Sequence, residues 1–244
     1  MITDRLGLLH EVADAVAKAL QTVTDWGPSG RRQGQYALDV VADDAALAVL
    51  HRAGVGVLSE ESGFEPGDSG EVVVIDPIDG STNASRGIPW FATSLCLVDR
   101  DGPAAAVVAN QATGVRYWAE RGGGAWSGER KLEPSGCVEL SEAIVIVSAA
   151  PPADAGWAQF RSMGACALDL CAVADGVVDG FVDFGTDQHG VWDYLAGWLV
   201  CREAGVGVVD AFDRPMLHLD HAARRTPIAA ATPELGVELL SLRR

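Results

Sequence analysis

Apolar and charged positions alternate with helical spacing through the first twenty residues, where Leu6, Leu9, Val12, Val16 and Leu20 recur on one face. This predicts an amphipathic helix over residues 1–20, and the absence of a basic start and a cleavage signature distinguishes it from a signal peptide. A loop at 27–35 and a second helix over about 40–53 should follow. The period then changes. Val55-Gly56-Val57-Leu58 and Val72-Val73-Val74-Ile75 are short apolar runs, the second fully β-branched, as in strands covered on both faces. Residues 91–99, 104–110 and 116–120 are strand candidates punctuated by Gly or Pro, the pattern of an antiparallel meander. The glycine-rich stretch 122–128 lacks the Lys-Ser/Thr ending of a phosphate loop and opens no apolar helix, so it reads as a hairpin turn. From Ala143 onward strands and helices alternate: strand 144–147, helix 165–174, strand 180–184, helix 193–204, and late strands near 206–210 and 227–231. One domain is expected over 1–244, with an α+β half, 1–142, joined to an α/β half, 143–244.

Composition narrows the class. The chain has 244 residues, 48% of them hydrophobic, enough for one well-buried core, and no run approaches the roughly 20 apolar residues that span a bilayer. A net charge of −16 argues against broad binding to nucleic acid or anionic membranes. Five cysteines, an odd number without Cys-x-x-Cys spacing, argue against a disulfide framework and a zinc site, and fit a reducing cytoplasm. His218-Leu219-Asp220-His221 has the wrong spacing for a metal pair and reads as a surface turn.

Candidate chemistry concentrates after the second apolar run, in Asp76-Pro77-Ile78-Asp79-Gly80-Ser81-Thr82-Asn83. Asp76 falls at the mouth of a buried strand, and Pro77, lacking an N–H, should force the chain out of the sheet and bring Asp79 back beside Asp76. Two carboxylates with no Lys or Arg between them call for a cation, and hard oxygen donors suit Mg²⁺ or Mn²⁺. Gly80, Ser81, Thr82 and Asn83 allow close backbone approach, and a helix starting here would aim amides at a phosphate. Two distant segments supply more acid. Glu60 ends another short strand, and Asp193 lies in the first turn of an apolar helix whose Ala196 and Gly197 permit close packing, which buries the acid and demands a partner or a metal.

These three segments resemble the signatures of the inositol monophosphatase family, within the fructose-1,6-bisphosphatase-like superfamily of lithium-sensitive metal phosphatases. Glu60-Glu61-Ser62 is similar to its first acidic motif, Asp76 to Asn83 to its central motif, and Trp192-Asp193-Tyr194-Leu195-Ala196-Gly197 to its C-terminal motif. The resemblance implies a layered αβαβα sandwich with the metals at the junction of its halves. It implies that Glu60, Asp76 and the Ile78 carbonyl hold one Mg²⁺ and that Asp76, Asp79 and Asp193 hold a second, with a third ion near Glu60 in some members. Glu60 and the Ser81 hydroxyl would activate water, with Asp43 orienting that hydroxyl. Gly80, Ser81 and Thr82 would face the phosphate, while Asp79, Gly164, Ala165, Cys166 and Asp183 would face the polyol or sugar. Cys166, Asp183, Ala84 and Val40 depart from the family's usual residues, as do a few extra residues between Asp183 and Trp192. The implied protein is a Mg²⁺-dependent, homodimeric phosphomonoesterase for a small phosphate ester, inositol monophosphate first. Fructose 1,6-bisphosphate and histidinol phosphate are alternative substrates, and a non-catalytic binding relative is the alternative of another class.

Overall fold

A computed structural model describes residues 4–30 and 35–243. The first three residues of the expected N-terminal helix, the centre of the expected loop (31–34) and residue 244 lie outside the described residues.

Helix α1, Arg5–Leu20, buries Leu9, Val12, Ala13, Val16 and Leu20 along one stripe, as their spacing requires. Helix α2, Ala37–Ala53, starts earlier than its apolar periodicity suggests. The reason is a polar cap: the Asp39 carboxylate accepts the Tyr36 amide at 2.8 Å, and such a cap leaves no mark in the hydrophobic pattern.

Eight strands follow in sequence: β1 Gly56–Ser59, β2 Gly63–Glu65, β3 Val72–Asp79, β4 Ala92–Asp99, β5 Gly102–Asn110, β6 Arg116–Glu120, β7 Gly124–Ser127 and β8 Arg130–Lys131. They form one sheet in the order β2-β1-β3-β4-β5-β6-β7-β8, in which only β1 and β3 pair in parallel. The expected meander is therefore present and longer than expected. Gly124–Ser127, assigned to a turn from its glycines, is strand β7, and Trp126 stacks on Trp118 of the adjacent strand with ring centroids 5.8 Å apart. On β3, Val73 and Ile75 face α1 and α2, whereas Val74 faces the opposite side. A run buried on both faces is thus explained by helices on both faces.

The short helix α3, Ser81–Arg86, leaves the end of β3. A second sheet holds β9 Ile144–Ser148, β10 Gln159–Arg161, β11 Gly180–Asp183, β12 Gly207–Asp210 and β13 Pro227–Ala230, in the order β10-β9-β11-β13-β12. Between the sheets lie α4, Cys166–Ala174, and α5, Val191–Ala204, while α6, Pro233–Ser241, covers the outer face of the second sheet. The layers run α1/α2, large sheet, α4/α5, small sheet, α6, which is the expected αβαβα sandwich. Every residue of α4 is buried, and a Cβ on Gly197 of α5 would lie 2.8 Å from the Cβ of Leu170 on α4, so the two helices meet as closely as the small residues allow. Among the described residues the cysteines are free, and no helix is long and apolar enough to cross a membrane.

Candidate metal centre and active site

Three elements deliver one carboxylate each to a common point. Glu60 directly follows β1, and its amide donates to the Ile75 carbonyl of β3 at 3.2 Å, holding the end of one strand against the other. Asp76 follows Ile75 on β3 and accepts the Ile78 amide through Oδ1 at 2.9 Å. Asp193 sits in the first turn of α5, where its Oδ2 accepts the Gly190 amide at 2.7 Å. That turn is tied to the large sheet because Ser94 of β4 donates its hydroxyl to the Trp192 carbonyl at 2.9 Å. One ligand atom from each of Glu60, Asp76 and Asp193 lies within 4.8 Å of the others.

Pro77 does not end the strand, contrary to the sequence-based expectation. The register shifts between Asp76, opposite Ser94, and Asp79, opposite Ala92, so the chain bulges and then resumes pairing. Thr93 stabilises the bulge by donating its hydroxyl to the Pro77 carbonyl at 2.9 Å. The bulge carries Asp79 out of ordinary alternation with Asp76, and the charge of Asp79 acts on Asp76, although Asp79 is not one of the three carboxylates that meet at the common point.

The electrostatics of this point demand positive charge. Asp76 is 2% exposed and its carboxyl is pushed well above the usual carboxylate range, first by burial and then by Glu60, Asp79, Asp193 and Asp39, all of them negative. Asp79 is pushed the same way by burial and by Asp193, while the Ala167 amide opposes the shift. Like charges at this separation, out of water, are stable only when protonated or neutralised by a cation. An all-carboxylate donor set fits a hard divalent cation rather than zinc.

The segment after the bulge links the centre to the middle layer. Asp79 Oδ2 accepts the Ala167 amide at the start of α4, 2.7 Å away. Gly80 takes φ 89° and has no room for a side chain, since a Cβ there would lie 3.1 Å from both the Ala165 Cβ and the Trp90 carbonyl. Asn83 donates its amide to the carbonyls of Trp90 at 2.8 Å and Met163 at 2.7 Å, pinning the two segments together. Gly164, Ala165 and Cys166 are therefore brought against the Asp76–Asn83 segment. They share a cavity of about 270 Å³ with Asp79 and Asp193, which Ser148, Ser162, Asp169, Phe181 and His189 also line. Burial and the neighbouring acids hold the Cys166 thiol well above its ordinary pKa, so it is a neutral group there. Ser81 opens α3, half-buried, and the exposed Thr82 hydroxyl lies 3.2 Å from that of Tyr36.

Two expected roles are corrected. Asp183, assigned to substrate hydroxyls, is 0% exposed at the end of β11 and does not line the cavity. Its Oδ1 accepts the Gly185 amide at 2.7 Å, and its Oδ2 lies 3.6 Å from His189 Nε2. Asp43, assigned to the Ser81 hydroxyl, instead accepts from Ser59 at 2.6 Å, with Ser62 as a further partner. The α2 acid whose charge reaches Asp76 is Asp39, one turn earlier. Asp39 and Asp43 share one face of α2 a turn apart, and the earlier of the two is the one that acts on Asp76.

Sequence reasoning also missed His189 and Asp169. Asp169, 2% exposed, accepts the Trp90 indole N–H at 2.7 Å, and burial pushes its carboxyl up to about 7. A lone acid inside the apolar run Cys166–Ala174 was the available signal for it. His189 lies in an irregular segment where periodicity says nothing, and only its i,i+4 spacing to Asp193 could have drawn notice.

The chain is similar to known proteins over nearly its whole length. The sequence profile of the inositol monophosphatase family matches residues 8–244. The chain is 35% identical over 251 residues to a fructose-1,6-bisphosphatase/inositol-1-monophosphatase of Archaeoglobus fulgidus, covering 98% of each chain. It is 34% identical over 245 residues to an inositol-1-monophosphatase of Mesorhizobium japonicum, covering 90% of this chain and 91% of that one. The solved structure of the extragenic suppressor protein SuhB from Bartonella henselae superposes with a TM-score of 0.81 at 27% identity, covering 98% of each chain. The chain therefore belongs to the inositol monophosphatase family of phosphoric monoester hydrolases.

Proposed function

We propose that the protein is a Mg²⁺-dependent phosphomonoesterase acting on a small polyol or sugar phosphate, with inositol 1-phosphate the first substrate to test. The observation that carries this reading is the meeting of Glu60, Asp76 and Asp193 from three separate elements beside a small polar cavity. Glu60, Asp76, Asp79, Asp193 and the Ile78 carbonyl would hold two Mg²⁺ ions, with a third near Glu60 and Mn²⁺ able to substitute. When bound, such ions neutralise charge on the phosphoryl oxygens and lower the pKa of water. Glu60 accepts the proton of the attacking water, which the Ser81 hydroxyl orients. Gly80, Ser81 and Thr82 hold the phosphate at the start of α3, where amides ahead of the first intrahelical bond have no helical partner. Water attacks phosphorus in line as the bond to the alcohol oxygen breaks, and the departing alkoxide takes a proton from solvent, giving the alcohol and inorganic phosphate, so no covalent nucleophile is required. The neutral Cys166 thiol is consistent with that route. The alcohol occupies the cavity against Asp79 and Gly164 to Cys166, and about 270 Å³ suits a ring of sugar size better than a nucleoside.

Phosphate release from inositol 1-phosphate, fructose 1,6-bisphosphate, histidinol phosphate and 3′-phosphoadenosine 5′-phosphate, with magnesium and with chelator, tests the reading. One strongly preferred, magnesium-dependent substrate is expected, with the nucleotide poorest. Release from none of them by a protein that binds magnesium would favour a binding role. The family resemblance also leads us to expect a homodimer, tested by light scattering, and inhibition by lithium at fixed magnesium.

A further inference from the structure

We propose that His189 is a positioning residue of the metal centre, fixing the Asp193 carboxylate and itself held from behind by Asp183. The inference rests on the reading of Asp193 as a metal ligand. His189 Nδ1 lies 3.5 Å from Asp193 Oδ2, the same oxygen that accepts the Gly190 amide. One carboxylate oxygen is thus engaged from the protein side, which spares the other for ligation. On the far side of the ring, Nε2 lies 3.6 Å from Asp183 Oδ2. Both of these atoms are buried without a hydrogen-bond partner, and a shift of a few tenths of an ångström would join them.

The segment that carries the ring is itself held in place. The His189 backbone is bridged to Arg225, accepting its amide at 2.9 Å and donating to its carbonyl at 3.3 Å. The Phe181 ring stands edge-on to the imidazole at 6.3 Å, and Asp183 is itself fixed by the Gly185 amide. A fully buried carboxylate facing an orphaned ring nitrogen is costly to keep unless the pair serves a purpose. A row running Asp183, His189, Asp193 from the small sheet to the metal centre gives it one. Groups that orient a ligating carboxylate typically account for about 10–100-fold in metal affinity.

The test is Mn²⁺ binding by calorimetry to the full-length protein and to variants whose melting is followed in parallel. H189A is expected to weaken Mn²⁺ by about 10–100-fold. H189N, whose amide nitrogen falls near Nδ1, should retain most of the affinity, and D183N should shift in the same direction as H189A but less. D193N serves as the control. If D193N loses Mn²⁺ while H189A binds it as the wild type does, the positioning role is overturned, and a rise in KM alone would then place His189 on the substrate. If D193N itself binds normally, the ligand assignment fails instead. Should H189A not fold, H189N and D183N carry the same comparison.

Discussion

Asp76 carries more of the site than any other side chain. It is buried on a central strand, the charges that act on it most strongly among the described residues are all negative, and one of its oxygens accepts the Ile78 amide. Asp76→Asn removes the charge without changing the volume, so the fold should persist while metal affinity falls and turnover drops by about three orders of magnitude or more. Steady-state kinetics over a magnesium titration checks this. Gly80 is as constrained sterically as Asp76 is electrostatically. With φ 89° and contacts of 3.1 Å awaiting a Cβ, Gly80→Ala should cost about 1–3 kcal/mol in denaturant unfolding. At this scale the sequence was legible where chemistry is local. Asp76, Asp79 and Gly80 are fixed by the end of one apolar run, and Asp193 by the start of another. Asp43 and Asp183 were misread because their roles depend on which turn of α2 meets the centre and on which way β11 presents its last side chain, and neither is set within a few residues.

Among the elements, α5 decides the geometry of the centre, because it holds Asp193 while packed against α4 and both sheets. Gly197 is the tight point of that packing. Alanine is the better helix former by about 1 kcal/mol, but its Cβ would sit 2.8 Å from the Leu170 Cβ and 3.1 Å from the Ala167 carbonyl. Overpacking should win, and Gly197→Ala is expected to destabilise by about 1–3 kcal/mol and to weaken metal binding by displacing Asp193. Thermal melting together with metal titration checks both effects. Most elements could be read from the sequence because helical and alternating periods differ plainly. The short edge strands β2 and β10 could not, since three residues are too few to show a period. The terminal helix α6 was overlooked although Thr232, followed by Pro233 and Glu234, is a recognisable start, and the Thr232 hydroxyl does accept the Leu235 amide at 3.3 Å.

Across the whole molecule, the buried acids tie stability to pH and to metal. Asp76, Asp79 and Asp169 have pKa values above the ordinary 3.8, Asp169 at about 7. The folded metal-free protein therefore keeps protons that the unfolded chain has released. The stability these acids lend is complete below about pH 4 and is lost as pH rises through their folded values. Asp99 and Asp210, held below the ordinary value with arginines beside them, act in the opposite sense and lose their contribution only in stronger acid. Melting temperature in chelator should therefore fall between about pH 5 and 8, and magnesium should flatten that fall, because a cation replaces the protons. A profile in chelator that rises with pH would contradict this balance. The central claim is that Glu60, Asp76 and Asp193 together hold a divalent cation. The most direct measurement is anomalous diffraction from crystals grown with Mn²⁺. We predict a peak between these three carboxylates, with oxygen ligands at about 2.0–2.2 Å. Crystals that show manganese elsewhere and none at this point would contradict the account.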